Sequence, residues 1–132
     1  METIAEKGLE DIILIKDGVF GKEKVNVLQV ADLFLMTSRF EGMPMSLIEA
    51  MSYGLPCAIT EGANMAEEVK AIDAGWTCDT SVEGIIAMLK QIIHDSQSLL
   101  EKSKNAKKLS TKYNWDSIAK DTHEFYRQLI LK

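Results

Sequence analysis

No apolar run in this chain exceeds a few residues, and its first residues carry no leader pattern, so neither a membrane span nor a secretory signal is expected. The expected location is cytoplasmic. Cysteine is scarce: Cys57 and Cys78 are the only two. Both lie in apolar, strand-like segments without metal-ligand spacing, and buried reduced thiols are expected. Proline is equally scarce, and both prolines, Pro44 and Pro56, fall within one short stretch. Repeats and low-complexity tracts are absent. At 132 residues the chain suffices for one domain with a single core, burying about two thirds of the unfolded surface, and not for two. Basic charge is also short, and a formal net charge of −5 argues against nonspecific nucleic-acid binding. The imbalance is uneven, with 7 basic against 16 acidic residues through Leu100 and 8 against 4 from Glu101 onward. Lys102, Lys104, Lys107, Lys108 and Lys112 cluster there. They read first as a solvated helix face and second as a weak dock for an anionic membrane surface.

What is present reads as alternating strands and helices. Glu2 to Gly8 resembles the tail of a helix, with Gly8 just past its end. Ile12-Ile13-Leu14-Ile15 has the pattern of a fully buried strand. Gly18 and Gly21 open the next connection, but without a third glycine or a Lys-Ser/Thr pair they make no phosphate loop. Val25 to Ala31 suggests a short helix. Asp32 to Met36 and Cys57 to Thr60 read as buried strands, and Trp76 to Asp79 as a short last one. Asn64 is expected to cap a helix, with Glu67 completing a capping box and Ala74-Gly75 ending it. Ser81 starts an amphipathic helix whose buried face is Ile85, Ile86, Met88, Leu89, Ile92 and Ile93. A helix from Leu99 to Leu109 follows, then a turn at Tyr113-Asn114. The closing helix, Asp116 to about Leu131, carries Trp115, Ile118, Ala119, Thr122, Phe125, Tyr126 and Leu129 as a stripe expected to pack in the core. His94 and His123 stand singly on polar helix faces and are not expected to be catalytic.

The informative stretch runs from Ser38 to Pro56, between two of the strands. Pro44 suits the first turn of a helix, where its missing N–H costs nothing, and Gly54 and Pro56 stop that helix about three turns later. A strand, a glycine loop, a helix and a strand result, with the loop at the carboxyl end of its strand, where open parallel sheets bind ligands. Glu41 in the loop and Glu49 in the helix are separated by seven residues. An acid ahead of a helix start has a structural explanation in the helix dipole, whereas Glu49, on the flank of Leu47, Ile48 and Met51, has none. Two carboxylates beside an anion-attracting helix start suit a ligand with a charged centre and hydroxyls on either side, such as a nucleotide sugar.

The string Phe40-Glu41-Gly42-Met43-Pro44-Met45-Ser46-Leu47-Ile48-Glu49-Ala50-Met51-Ser52-Tyr53-Gly54-Leu55-Pro56 resembles the E-x7-E signature of retaining GT-B glycosyltransferases of family 4, the group 1 glycosyl transferases. Ala31 to Ser38 resembles the strand entering that motif, and Glu67 with Gly75 resembles the next acidic and glycine positions. The similarity runs from about Leu9 to Trp115. It implies an α/β fold, a partial Rossmann-like parallel sheet of about four strands flanked by helices, corresponding to the C-terminal, donor-binding domain without its first strands and without the acceptor domain.

Carried over, the resemblance implies that Glu41 bonds hydroxyls of the donor sugar and that Glu49 grips the ribose. The loop and helix start, Gly42, Met43, Pro44, Met45 and Ser46, would take sugar hydroxyls and the diphosphate through the N–H groups of Met43, Met45 and Ser46. Glu67 would lie near the donor pocket. It implies no cofactor and no metal, the nucleotide sugar being a substrate, and transfer with retention to a polysaccharide or glycolipid acceptor. The family's glycine loop and its diphosphate-binding Arg and Lys have no counterpart, Arg39 and Lys22 being the only cations near the loop in sequence. If these residues are the whole chain, no transferase activity is expected of it alone, with at most weak binding of a nucleotide sugar; a piece cut from a longer protein, a split subunit and a gene remnant are the alternatives. Its sheet is expected to be completed by direct pairing of residues 12–15 with 33–36, or by a second polypeptide or another copy. Peripheral association with the inner membrane face stays open. The alternatives are a non-catalytic subunit supporting another glycosyltransferase chain, a two-carboxylate hydrolase, and a flavodoxin-like regulator, for which Asp11, Asp17 and Asp32 make no convincing site.

Overall fold

The computed structural model describes residues 2–130, which gather into two compact units that divide between Val30 and Ala31. In the first, α1 (Glu2–Glu6) runs into a turn at which Gly8 takes φ +61°, the left-handed conformation expected just past a helix end. The expected strand at Ile12–Ile15 does not form. The N–H groups of Ile12 and Ile13 both donate to the Leu9 carbonyl, at 3.0 and 2.8 Å, and so close a local turn. A strand needs those groups for a ladder. Ile12 and Leu14 are accordingly 79% and 78% exposed. A short helix, α2 (Gly21–Val30), follows as expected, with no residue fully buried.

The second unit holds a sheet of three strands, β1 (Phe34–Met36), β2 (Cys57–Thr60) and β3 (Gly75–Cys78), in the order β1-β2-β3 and all parallel. That is the α/β architecture expected, with three strands in place of about four. Crossovers are made by α3 (Met45–Ser52) and α4 (Ala66–Ala71). Every residue of β2 is buried, as a central parallel strand covered on both faces requires. Its alternation sorts the core: Cys57 and Ile59 join Leu47, Met51, Val69 and Leu109, while Ala58 joins Trp76 and Met88 on the opposite face.

Asp73, at φ +55°, makes the turn between α4 and β3. Gly75, expected to end the helix, is instead the first residue of β3, where an added Cβ would fall on the Cys57 carbonyl oxygen of the paired strand. Helix α5 (Val82–His94) is capped as expected, the Ser81 hydroxyl accepting from the Gly84 N–H at 3.0 Å. Only Met88 of its apolar face is fully buried, and Ile86 and Ile93 stay exposed because three short strands offer too narrow a platform.

Helix α6 (Leu99–Ser110) packs on α3 through Ala106 and Leu109. It also removes one lysine from the expected solvated cluster. Lys102 is buried, its ammonium paired with Asp73 and 4.9 Å from the centre of the Trp76 ring. Lys104, Lys107, Lys108 and Lys112 remain exposed. Helix α7 (Trp115–Ile130) buries none of the stripe expected to pack in the core, with Trp115 81% and Phe125 60% exposed. Among the described residues its main neighbours are those of the 111–113 turn, and the stripe stays largely in solvent. Among the described residues no helix is long and apolar enough to cross a membrane.

Two outcomes follow from the central strand. Gly75→Ala forces the β2–β3 pair apart and should lower stability by about 1–3 kcal/mol, read as a drop in the urea midpoint; an unchanged midpoint would show that the strands separate freely. Cys57 is a free thiol that burial pushes from its ordinary 9.0 up to about 12. Below 9.0 both folded and unfolded thiols hold their proton. Between 9.0 and about 12 the unfolded chain binds fewer protons than the folded one, so stability falls as pH rises. Urea midpoints at roughly pH 8 and roughly pH 10.5 should therefore fall less for Cys57→Ala than for the wild type, and parallel falls would contradict this.

Candidate functional site

β1 and β2 are parallel neighbours, so the loops leaving their carboxyl ends emerge side by side, and backbone and side-chain bonds join them. The hydroxyl of Thr60, the fully buried last residue of β2, donates to the Ser38 carbonyl at 2.5 Å. Farther out the Glu41 N–H donates to the Gly62 carbonyl at 2.8 Å, and the Asn64 N–H donates to the Glu41 carbonyl at 2.9 Å. These bonds form an isolated parallel bridge between Glu41 and Ala63. Asn64 adds a side-chain bond, its Nδ2 donating to the Gly42 carbonyl at 3.1 Å. The turn approaches so closely that a Cβ on Gly62 would overlap the carbonyl groups of Ser38 and Arg39. Its other end is held by the Glu61 N–H, which donates to the Cys78 carbonyl of β3 at 2.8 Å. Glu41 is thus a half-buried carboxylate on a backbone tied at both its N–H and its C=O.

The loop then enters α3. Pro44, fully buried, occupies the position just ahead of Met45, at φ −78°, and its carbonyl accepts from the Ile48 N–H at 3.1 Å. The first helical N–H, that of Met45, is taken by the Met43 carbonyl at 2.9 Å. Ser46 and Leu47 follow as the second and third helical residues, whose N–H groups have no acceptor within a helix. Gly42, Met43, Met45 and Ser46 are all exposed around this start.

Glu49 stands four residues beyond Met45, about 6 Å along the axis at 1.5 Å per residue. It is half-buried and lines a cleft of about 340 Å³ together with Met45, Ile48 and Ser52 of α3 and with Ser110, Tyr113 and Asn114. The Tyr113 hydroxyl donates to Glu68 at 3.4 Å, and its pKa is raised by burial and by that neighbouring carboxylate, so it stays a neutral donor. The Asn114 Oδ1 accepts from the Ser117 N–H at 2.7 Å, capping α7. The cleft is therefore lined by the Glu49 carboxylate, by the hydroxyls of Ser52, Ser110 and Tyr113 and by the apolar side chains of Met45 and Ile48.

Glu67 lies elsewhere, exposed, in a second cleft of about 290 Å³ lined also by Glu61, Ala63, Asn64 and Ala66. The capping box expected for it is absent. Helix α4 begins at Ala66 without a side-chain cap, because the Asn64 amide reaches outward to Gly42 rather than over the helix end. Among the described residues no group of His, Cys, Asp and Glu is placed to hold a metal ion. Ser110, Tyr113 and Asn114 had no signal in the sequence, being more than sixty residues from Glu49 and brought to it by α6 packing on α3.

The residues matched by the family model described as glycosyl transferases group 1 are 2–109. Among curated proteins, the MMP alpha-(1->4)-mannosyltransferase of Mycolicibacterium hassiacum is 24% identical, over 99% of this chain and 33% of its own. The N,N'-diacetylbacillosaminyl-diphospho-undecaprenol alpha-1,3-N-acetylgalactosaminyltransferase of Campylobacter jejuni is 25% identical, over 80% of this chain and 28% of its own. Among solved structures, sucrose-phosphate synthase from Thermosynechococcus elongatus superposes with a TM-score of 0.82 at 20% identity, covering 98% of this chain and 33% of its own. The chain thus spans about a third of the length of the curated relatives it matches. With a family model matched across most of its length and the fold shared with a solved relative, the chain belongs to the glycosyl transferases group 1 family.

Proposed function

We propose that this chain is the donor-binding part of a glycosyltransferase that moves a sugar from a nucleoside diphosphate to a polysaccharide or glycolipid acceptor, with retention at the anomeric carbon. The observation that carries the reading is the placement of the two glutamates: Glu41 on a loop tied at the strand ends, and Glu49 one turn into the helix that the loop enters, inside a cleft with hydroxyl-bearing walls. In this reading the Glu49 carboxylate accepts both ribose hydroxyls, and Glu41 accepts hydroxyls of the donor sugar. The diphosphate lies toward the positive end of α3. Because the Met45 N–H is already engaged, the N–H groups of Ser46 and Leu47 take the role at the helix start. Gly42, with no side chain, lets the backbone approach the sugar, and Met43 and Pro44 shape the loop beside it.

The chemistry asked of these residues is electrostatic and geometric. As the nucleoside diphosphate leaves, negative charge grows on its bridging oxygen and positive character on the sugar ring, and oriented N–H dipoles at the helix start stabilise the former. Glu41 and Glu49 hold the two ends of the donor so that one face of the sugar stays open to the acceptor. The nucleotide sugar is the substrate, and no cofactor is needed. Transfer would require polypeptide beyond these residues to bring the acceptor. The setting is the cytoplasm, where exposed Lys104, Lys107, Lys108 and Lys112 would favour peripheral contact with an anionic membrane surface.

Isothermal titration with UDP, GDP, ADP and their glucose and mannose conjugates checks the reading. One nucleotide series should bind, and Glu49→Ala should weaken both its diphosphate and its sugar conjugate by about tenfold or more, the loss of a charge-assisted hydrogen bond. Equal affinities for wild type and Glu49→Ala would refute the assignment of Glu49.

A further inference from the structure

Asn64 lies outside the glutamate motif, fifteen residues beyond Glu49, yet it makes two bonds to the loop that carries Glu41. Its backbone N–H donates to the carbonyl of Glu41 itself, and its side-chain Nδ2 donates to the carbonyl of Gly42. It is held in turn by the sheet, since the turn from Glu61 to Asn64 begins at a bond to β3 and passes Gly62, which accepts from the Glu41 N–H. We propose that Asn64 is a positioning residue for donor-sugar recognition: by bonding the carbonyls of two successive peptides, those of Glu41 and Gly42, it fixes the loop that carries Glu41 against the sugar while leaving the Glu49 end of the donor untouched. The inference rests on the donor-binding reading given above.

The physical argument is one of local order. Gly42 is exposed, has no Cβ and no neighbour within 4 Å of where one would be, so nothing packs around it to restrain its backbone. Without the side-chain bond from Asn64, the Gly42–Met43 peptide gains the freedom that glycine allows, and the restraint that the following loop places on the Glu41 side chain is relaxed. Asn64 is exposed and caps no helix, so the fold does not depend on its side chain. A hydroxyl or a carboxylate at this position would be too short or would lack the donor. Asparagine supplies both reach and an N–H pair.

The test uses the full chain and separates the two ends of the ligand. For Asn64→Ala, affinity for the nucleotide sugar that binds the wild type should fall on the order of tenfold, while affinity for the bare nucleoside diphosphate stays within about twofold. Glu41→Ala should give the same split. The double variant should be no worse than either single one, as expected for groups acting as one unit. Asn64→Asp, which keeps the size but sets an acceptor against the Gly42 carbonyl, should lose at least as much as Asn64→Ala. Without ligand, amide exchange at Gly42 and Met43 should quicken in Asn64→Ala with the melting temperature unchanged. Losses that are equal for sugar conjugate and bare diphosphate, additive losses in the double variant, or loop exchange identical to wild type would each overturn the role of Asn64. A wild-type chain that binds no nucleotide at all would overturn the donor-binding reading, and the positioning role with it.

Discussion

The unit rests on the double pairing of a four-residue strand. β2 is hydrogen-bonded to a parallel neighbour on each side and covered above and below, so its backbone is satisfied by the sheet and its side chains by two apolar layers. Everything else is arranged around that requirement. Gly75 has no side chain because β3 must come close to Cys57, and α3, α4 and α6 share one face because Cys57 and Ile59 point there. The candidate site is a consequence of the same pairing. Parallel strands end on one side, so the pairing itself places the loops that leave β1 and β2 next to each other.

Where regular pairing stops, a second and smaller set of polar bonds takes over. Thr60 to Ser38, the Glu41–Ala63 bridge and the Asn64 amide continue the adjacency of β1 and β2 beyond the strands themselves. The loop carrying Glu41 would otherwise be a glycine-containing segment without such ties, and the bonds convert it into an extension of the sheet. At the opposite end, the buried Lys102 ammonium ties α6 to the turn ahead of β3. Asp73 is well exposed, so that pair is largely screened by water and contributes little as a salt bridge. Its main consequence is orientation, since burying a cation without its partner and the Trp76 face would be costly. The orientation of α6 also shapes the candidate site, because the same helix brings Ser110 and the following turn up to Glu49.

The local signals that were legible are those with a local cause. Pro44, Gly54 and Pro56 bracket α3, Ser81 caps α5, and the run Cys57 to Thr60 is β2 as expected, because capping, turn formation and short buried runs depend on neighbouring residues. The glutamate spacing and its surrounding glycine and prolines likewise identified the family. Illegible were features that depend on what lies across space. Ile12 to Ile15 has the composition of a strand, but composition does not supply a ladder, and the backbone closed a turn on Leu9 instead. The stripe on α7 has the periodicity of a core helix, yet none of its described residues is buried. Lys102 was indistinguishable in sequence from its exposed neighbours in the same cluster.

By itself the sequence determined the alternation of strand and helix from Asp32 onward, the start of α3 and the presence of two glutamates at its threshold and on its side, since these follow from steric limits on proline and glycine and from the period of apolar residues. Only the tertiary structure decided that the sheet has three strands, that Glu49 looks into a cleft with Ser110, Tyr113 and Asn114, and that Asn64 binds the Glu41 loop instead of capping a helix. A hydrogen-bonding side chain with several acceptors within reach is committed by whichever one the packed backbone presents, and that is set by strand adjacency, which no local pattern encodes.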